Sequence, residues 1–194
     1  MTEHGYTFDY SKTMMMKLFL SSPNVREGGS CVNCTFERAL EVIKQTDALT
    51  LGVPKIIYLV GWQYDGHDDK YPAFFEVNPA LARDCDETPL DSLLWLIEEA
   101  KKYHTTVSLH INFSDIYDDS PLWEDYVAAG AVERELLALN SLRGGNGYPY
   151  GSCRFLGSSA IRACNACSGY CTVCTKHPAC TGSHPLCALA AYST

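Results

Sequence analysis

The chain has 194 residues and a formal charge of −8. That length can bury a sizeable core and is normally one domain. The acidic balance argues against nucleic acid as a partner, because phosphate binding needs clustered Lys and Arg. The average hides two unlike pieces: all 23 Asp and Glu lie in residues 1–135 with 11 of the 15 Lys and Arg, whereas residues 136–194 hold four basic residues, no acid and seven of the ten cysteines.

The first apolar run, Met14-Met15-Met16-Lys17-Leu18-Phe19-Leu20, reads as a short buried strand. It is short, interrupted by a lysine and preceded by acids, so it fits neither a membrane span nor the apolar core of a signal peptide. The expectation is a cytoplasmic chain with no membrane partner. Residues 21–34 are a loop by composition, rich in Gly, Ser, Pro and Asn. Cys31-x-x-Cys34 within it reads either as a redox-type pair ahead of a helix or as two unpaired thiols. Thr35 is a plausible N-cap, and Phe36, Leu40 and Ile43 fall on one helical face. That helix should end near Gly52, with Pro54 beyond it.

Lys55 to Val60 forms the next strand. Gly61 then opens a dense polar and aromatic segment with Trp62, Tyr64, Asp65, His67, Asp68, Asp69 and Lys70. Most charged segments after a strand are solvated loops, and the sharper alternative is a binding site at the end of a parallel strand. Thr88-Pro89-Leu90-Asp91 supplies an N-cap, a proline at the first helical position and an acid in the first turn. Leu90, Leu93, Leu94 and Ile97 give that helix its apolar stripe, and Lys101-Lys102 complement its dipole. Thr105 to Asn112 alternates as a strand, with Val107, Leu109 and Ile111 on one face and Ser108, His110 and Asn112 on the other. Ser120-Pro121 opens a third helix through Leu122, Trp123, Tyr126 and Val127.

Strands alternating with helices of this length predict an α/β fold with a parallel sheet and right-handed crossovers. An open doubly wound sheet and a (β/α)8 TIM-type barrel both satisfy the pattern, and the missing glycine-rich phosphate loop weakens a nucleotide-binding sheet. Either architecture puts ligands at the C-terminal ends of the strands, where both polar clusters lie. His67, Asp68 and His110 as metal ligands have poor spacing, since Asn112 stands where a second histidine would be expected. Sugar hydroxyls suit the set better, because Asp accepts, Asn donates and accepts, and His does either. Trp62, Tyr64 and Tyr71 would give the apolar face of a sugar ring something to pack on. For His110 and Asn112 the plainer alternative is capping of backbone at the strand end.

The segment "GWQYDGHDDKYPAF" followed by "LHINFSDIYDDS" resembles the catalytic barrel of endo-α-N-acetylgalactosaminidases, glycoside hydrolase family 101. The matching residues are Gly61, Gly66, His67, Asp68, Lys101, Lys102, Tyr103, His110, Asn112 and Tyr117, and the resemblance runs over roughly residues 14–135. It implies a partial TIM-type barrel over 1–135, a carbohydrate partner containing galactose and N-acetylgalactosamine, and retaining hydrolysis of mucin-type O-glycans. It implies that Asp68 and His110 line the sugar pocket; His67, Asn112, Tyr117 and Trp62 are the other candidate substrate-binding residues. It also exposes a departure. A retaining glycosidase needs two carboxyl groups facing across the scissile bond. The family draws them from strands later than the His-x-Asn strand, and here no Asp or Glu follows Glu135. A complete barrel needs about 250 residues. The expectation is a truncated glycoside hydrolase with part of the pocket, no catalytic pair and no cofactor. An unfinished sheet edge would favour self-association. Enzymes it resembles are usually secreted or held at the cell surface, against the cytoplasmic reading.

Residues 136–194 carry Cys164-x-x-Cys167 and Cys171-x-x-Cys174, with His177 between later cysteines. Cys164, Cys167, Cys171 and Cys174 are the candidate zinc ligands, although ribbons separate their pairs by a longer loop than the three residues here. Cys167-x-x-x-Cys171-x-x-Cys174 has radical-SAM spacing, with no barrel following it. A disulfide knot and a frame-shifted or remnant sequence are the other readings. The zinc reading gives the second functional alternative, a glycan-binding or regulatory half-barrel with a metal-binding tail.

Overall fold

In the computed structural model the described residues are 8–112 and 115–129, together with the backbone of 154–155. They divide into two units, the first taking 8–67 and 76–110 and the second 68–75, 111–129 and 154–155. The cysteine-rich tail and its candidate zinc ligands lie outside the described residues.

In the first unit, strand β1 (Met14–Phe19) leads into a hairpin of β2 (Ser21–Pro23) and β3 (Ser30–Val32), then helix α1 (Phe36–Thr50). Strand β4 (Lys55–Val60), a 3₁₀ turn (Pro79–Leu81), helix α2 (Pro89–Lys101) and strand β5 (Thr105–Leu109) follow. The strands form a parallel sheet in the order β1-β4-β5, as the alternation predicts. The register runs Met14 to Lys55 to Thr105 at one end and Leu18 to Leu59 to Leu109 at the other. This is the α/β arrangement of a TIM-type barrel segment. The hairpin is a departure from the loop expected over 21–34. Its strands are three residues each, too short to show a period, and Gly28 and Gly29 make its turn at φ +79° and +70°.

Thr35 caps α1 by accepting from the Arg38 N–H, and Phe36, Ala39, Leu40 and Ile43 are buried. At the other end Leu51 and Gly52 take left-handed φ of 53° and 78°, ending the helix where expected. Thr88 and Asp91 form a capping box on α2. The buried face of α2 is Ser92, Leu93, Leu96 and Ala100, so the stripe is turned from the one predicted and Leu94 and Ile97 are only half-buried. Polar contacts explain the turn. Ser92 Oγ donates to Asp86 at 2.7 Å and accepts from the Arg83 N–H at 2.9 Å, so a serine fits the buried face. Arg83 also forks onto Asp86 at 2.8–2.9 Å and lies 3.9 Å over the Trp95 ring. Its guanidinium holds the Asp86 carboxyl below the usual carboxylate range.

The sheet is clamped at its N-terminal end. Lys55 is fully buried, and its ammonium donates to Asp47 on α1 and to the Val53 carbonyl, both at 2.6 Å. His104 Nδ1 lies 3.2 Å from the same carboxylate. These contacts, Lys55 first, hold Asp47 below its ordinary pKa. They also fix the faces of the sheet, because Lys55 points at α1. Positions 55, 57 and 59, with 14, 16 and 18 on β1 and 105, 107 and 109 on β5, therefore face the helices. Positions 15, 17 and 19, with 56, 58 and 60 and 106, 108 and 110, face away from them. β4 is buried at five of six positions, whereas β1 alternates between half-buried and exposed.

In the second unit β6 (Asp115–Ile116) pairs antiparallel with β7 (Arg154–Phe155), and α3 spans Trp123–Ala128. The third helix thus forms where Ser120-Pro121 predicts, with Leu122 at its N-cap. No helix among the described residues is long and apolar enough to cross a membrane.

Candidate functional site

The segment after β4 is shaped by contact with the end of β1 and the β2 strand. Gly61 has φ +76°, and a Cβ there would lie 2.0 Å from the Ser21 carbonyl oxygen. Gly66 has φ +136°, and its Cβ would meet Ser22 Cα at 2.6 Å and the Ser21 carbonyl carbon at 2.7 Å. Glycine is required at both by close approach of backbone to backbone as well as by φ. The gap they leave is filled by hydrogen bonds: Ser21 Oγ donates to the Gly61 carbonyl at 2.7 Å, and the His67 N–H donates to the Ser21 carbonyl at 2.9 Å.

Behind that contact sits a buried polar hub. Asn78 is fully buried; its Nδ2 donates to Ser21 Oγ and to Ser30 Oγ, each at 2.9 Å. Its Oδ1 accepts from the Ala80 N–H at 2.9 Å, and its own N–H donates to the Trp62 carbonyl at 2.9 Å. One side chain therefore ties the hairpin, the start of the loop and the 3₁₀ turn together. Gln63 is fully buried beside it, donating to the Gly66 carbonyl at 3.1 Å, while its Oε1 has no partner among the described residues. Tyr64, Asp68 and Lys70 hold left-handed φ of 43°, 62° and 55° without being glycine. Such backbone costs about 1–2 kcal/mol per residue and persists where neighbours fix it.

His67 and His110 come together in the first unit. Their ring centroids are 5.4 Å apart at 66°, and Phe19 stands edge to face with His67 at 5.4 Å and 90°. His110 is the residue directly after β5. Its N–H donates to the Leu59 carbonyl at 3.0 Å, and its carbonyl accepts from the Trp62 indole N–H at 3.0 Å. Both histidines are half-buried and both are held through their backbones at the C-terminal ends of the parallel strands. Two imidazoles in that position can each donate or accept toward a hydroxyl.

Asp68, Asn112 and Tyr117 belong to the second unit. Asp68 is half-buried there, and the Asn112 amide donates to the Asp115 carboxylate, which fixes which way Asn112 presents its oxygen. Tyr117 is buried, 6.0 Å from Tyr71, and its N–H donates to the Tyr71 carbonyl at 3.0 Å. The Asp119 carboxyl is pushed above the usual carboxylate range, first by removal from water and then by the Asp69 carboxylate. It therefore keeps its proton to a higher pH than an ordinary aspartate.

The aromatic platform expected from sequence is not where it was expected. Trp62, Tyr64 and Tyr71 are 1%, 8% and 0% exposed, so none offers a ring face to solvent. Trp62 is a core residue whose indole N–H is spent on the His110 carbonyl. Sequence reading also missed Ser21, Ser30 and Asn78. Asn78-Pro79 signals a turn, but nothing in the sequence pairs it with serines so far upstream.

No group of three or more His, Cys, Asp or Glu among the described residues is placed to hold a metal ion. Cys31 is exposed and Cys34 buried, both as free thiols. Burial pushes the Cys34 thiol up, against a smaller lowering by Arg38. That is opposite to the depressed pKa that makes a redox pair reactive.

A family model described as endo-alpha-N-acetylgalactosaminidase, glycoside hydrolase 101, matches residues 26–135. No curated protein matches the chain. Among solved structures, the alpha-N-acetylgalactosaminidase NagBb of Bifidobacterium bifidum is similar in several forms. The complex with Gal-NHAc-DNJ has a TM-score of 0.53 and 12% identity, covering 75% of this chain and 22% of that one. The ligand-free form has a TM-score of 0.52 and 12% identity, covering 75% and 23%. At such identity the likeness is one of fold. The chain spans under a quarter of the length of these structures.

Proposed function

The chain belongs to the endo-alpha-N-acetylgalactosaminidase family of glycoside hydrolases, and we propose that its described part carries one portion of a sugar pocket of that family, without the catalytic carboxyl pair. The observation that carries this reading is the His67–His110 contact at 5.4 Å, held by backbone bonds at the C-terminal ends of parallel strands. That is the end of a TIM-type barrel where substrates bind. His67 and His110 take sugar hydroxyls; for Asp68, Asn112 and Tyr117, in the second unit, the resemblance implies a hydrogen-bonding role of their own. The substrate class it implies is a mucin-type O-glycan core of galactose and N-acetylgalactosamine.

Hydrolysis needs a nucleophile and an acid/base. Within these 194 residues no Asp or Glu follows Glu135, so residues 136–194 supply neither carboxyl group. The role proposed for the described part is therefore glycan binding. Among the described residues β1 and β5 lie at the two edges of the sheet, and edges of that kind are where we place any self-association.

Calorimetric titration with a galactosyl-N-acetylgalactosamine glycoside tests the reading. His110→Ala and Asp68→Ala should each weaken binding, by about 0.5–1.5 kcal/mol for a neutral hydrogen bond and more for the carboxylate. Unchanged affinity in both variants, with folding intact, leaves the segment after β4 a structural role alone.

A further inference from the structure

A pyranose presents two kinds of surface, a rim of hydroxyls and a flat face of C–H groups, and a site that distinguishes sugars must meet both. The His67–His110 pair addresses only the rim. Trp62, Tyr64 and Tyr71, the aromatic residues nearest His67 in sequence, are buried, so among the described residues a ring for the flat face is sought on the neighbouring strand.

Register identifies it. Phe19 is the last residue of β1 and pairs with Val60, the last of β4; His110 stands one residue past Leu109, which pairs with Leu59. Because Lys55 points to α1, positions 19, 60 and 110 all face away from the helices, at the C-terminal end of the sheet. Phe19 is the aromatic residue on that level. It is 43% exposed, although it stands 5.4 Å from His67, which in turn stands 5.4 Å from His110. An apolar ring and two hydrogen-bonding rings therefore follow one another along the mouth of the sheet, all within the first unit.

We infer that Phe19 is the stacking platform of this subsite, packing on the C–H face of a galactose-configured pyranose while His67 and His110 bind its hydroxyl rim. Galactose fits this division because its axial 4-hydroxyl leaves the C–H groups at positions 3, 4 and 5 as one continuous apolar patch. Glucose, with that hydroxyl equatorial, has no such patch on one side. The electron-rich face of an aromatic ring attracts polarised C–H groups as it does other positive edges. The inference rests on the sugar-pocket reading and assigns a residue outside the motif that carries it.

The test uses the full chain with methyl β-galactopyranoside and methyl β-glucopyranoside as probes. Saturation of labelled Phe19 ring signals should transfer to the galactoside protons at positions 3, 4 and 5. Phe19→Leu keeps apolar bulk and loses the ring. It should weaken galactoside binding about fivefold to tenfold and narrow the preference over glucoside. Phe19→Trp should retain binding. Because Phe19 is exposed, neither variant should lower the melting temperature appreciably, which separates a binding role from a packing one. If His110→Ala weakens binding but Phe19→Leu stays within twofold of wild type, the platform is refuted and the sugar pocket stands. If wild-type protein binds neither glycoside, both readings fall.

Discussion

Replacing Gly61 by alanine tests whether the site is held by backbone contact. The new Cβ would lie 2.0 Å from the Ser21 oxygen and 2.9 Å from the His67 nitrogen, on a residue with φ +76°. Left-handed φ costs a non-glycine residue about 1–2 kcal/mol. The overlap is with backbone, which no rotamer change relieves, so the segment must move and overpacking adds about 1–3 kcal/mol. Moving it disrupts the Ser21–Gly61 and His67–Ser21 hydrogen bonds, each worth about 0.5–1.5 kcal/mol. Since these contributions overlap, the expected loss is about 3–5 kcal/mol, a large share of a small domain's stability. Gly66→Ala should behave alike, because its Cβ meets Ser22 at 2.6 Å. The control is Gly28→Ala, with φ +79° and nothing within 4 Å of the added carbon; it should cost only the φ term, about 1–2 kcal/mol. Urea unfolding followed by circular dichroism measures all three. If Gly61→Ala and Gly66→Ala cost no more than Gly28→Ala, the close approach of the loop to Ser21 and Ser22 does not hold the site.

Three other outcomes are expected. Asp47, whose pKa is depressed chiefly by Lys55, contributes stability that is present above the unfolded aspartate pKa of about 3.9 and lost as pH falls through the lower folded value; Asp47→Asn should flatten the loss of unfolding free energy below about pH 4, and an unchanged acid limb refutes the linkage. The purified chain should not hydrolyse an aryl α-linked disaccharide above background, and turnover abolished by changing Asp65 or Asp115 would show a catalytic pair among the early acids. If residues 136–194 are a remnant sequence, purified protein carries no stoichiometric zinc; one equivalent, lost on Cys164→Ser together with protease resistance of that segment, establishes a metal module instead.

Much of the scaffold was legible because its signals are local. The alternation in 105–112 predicts a strand, of which the structure forms Thr105–Leu109, and the apolar run in 56–60 after Lys55 predicts another; Thr35 and Thr88-Pro89-x-Asp91 predict two helix starts, all from side chains that act within a turn of their position. The match of Gly61, Gly66, His67 and Asp68 to a family pattern located the segment after β4, and the structure adds the reason for two of them, since a Cβ at either glycine strikes backbone. What sequence could not show depends on distant partners. Ser92 on the buried face of α2 is acceptable only because Asp86 and Arg83 meet it, so the stripe was read one step round. Trp62 reads as a sugar platform because it neighbours the polar cluster, while the structure buries it and spends its indole N–H on the His110 carbonyl just past β5. Phe19 was read only as part of an apolar strand, and its exposure depends on what the neighbouring residues leave uncovered.

The contrast between β4 and β1 sets an uneven pattern of mutational tolerance. In β4, buried at five of six positions, one side of the strand answers to α1 and the other to the mouth of the sheet, so nearly any change disturbs something. β1 is exposed at every second position. A saturation map of this chain should therefore show a comb over Met14–Phe19, open at Met15 and Lys17, beside a nearly solid bar over Lys55–Val60. At Phe19 the comb should lose its regularity when the selection is for glycan capture and recover it when the selection is for folding alone. Sequence drift in this segment can thus proceed through β1 without unmaking the sheet, and the central strand fixes the pace of change for the rest.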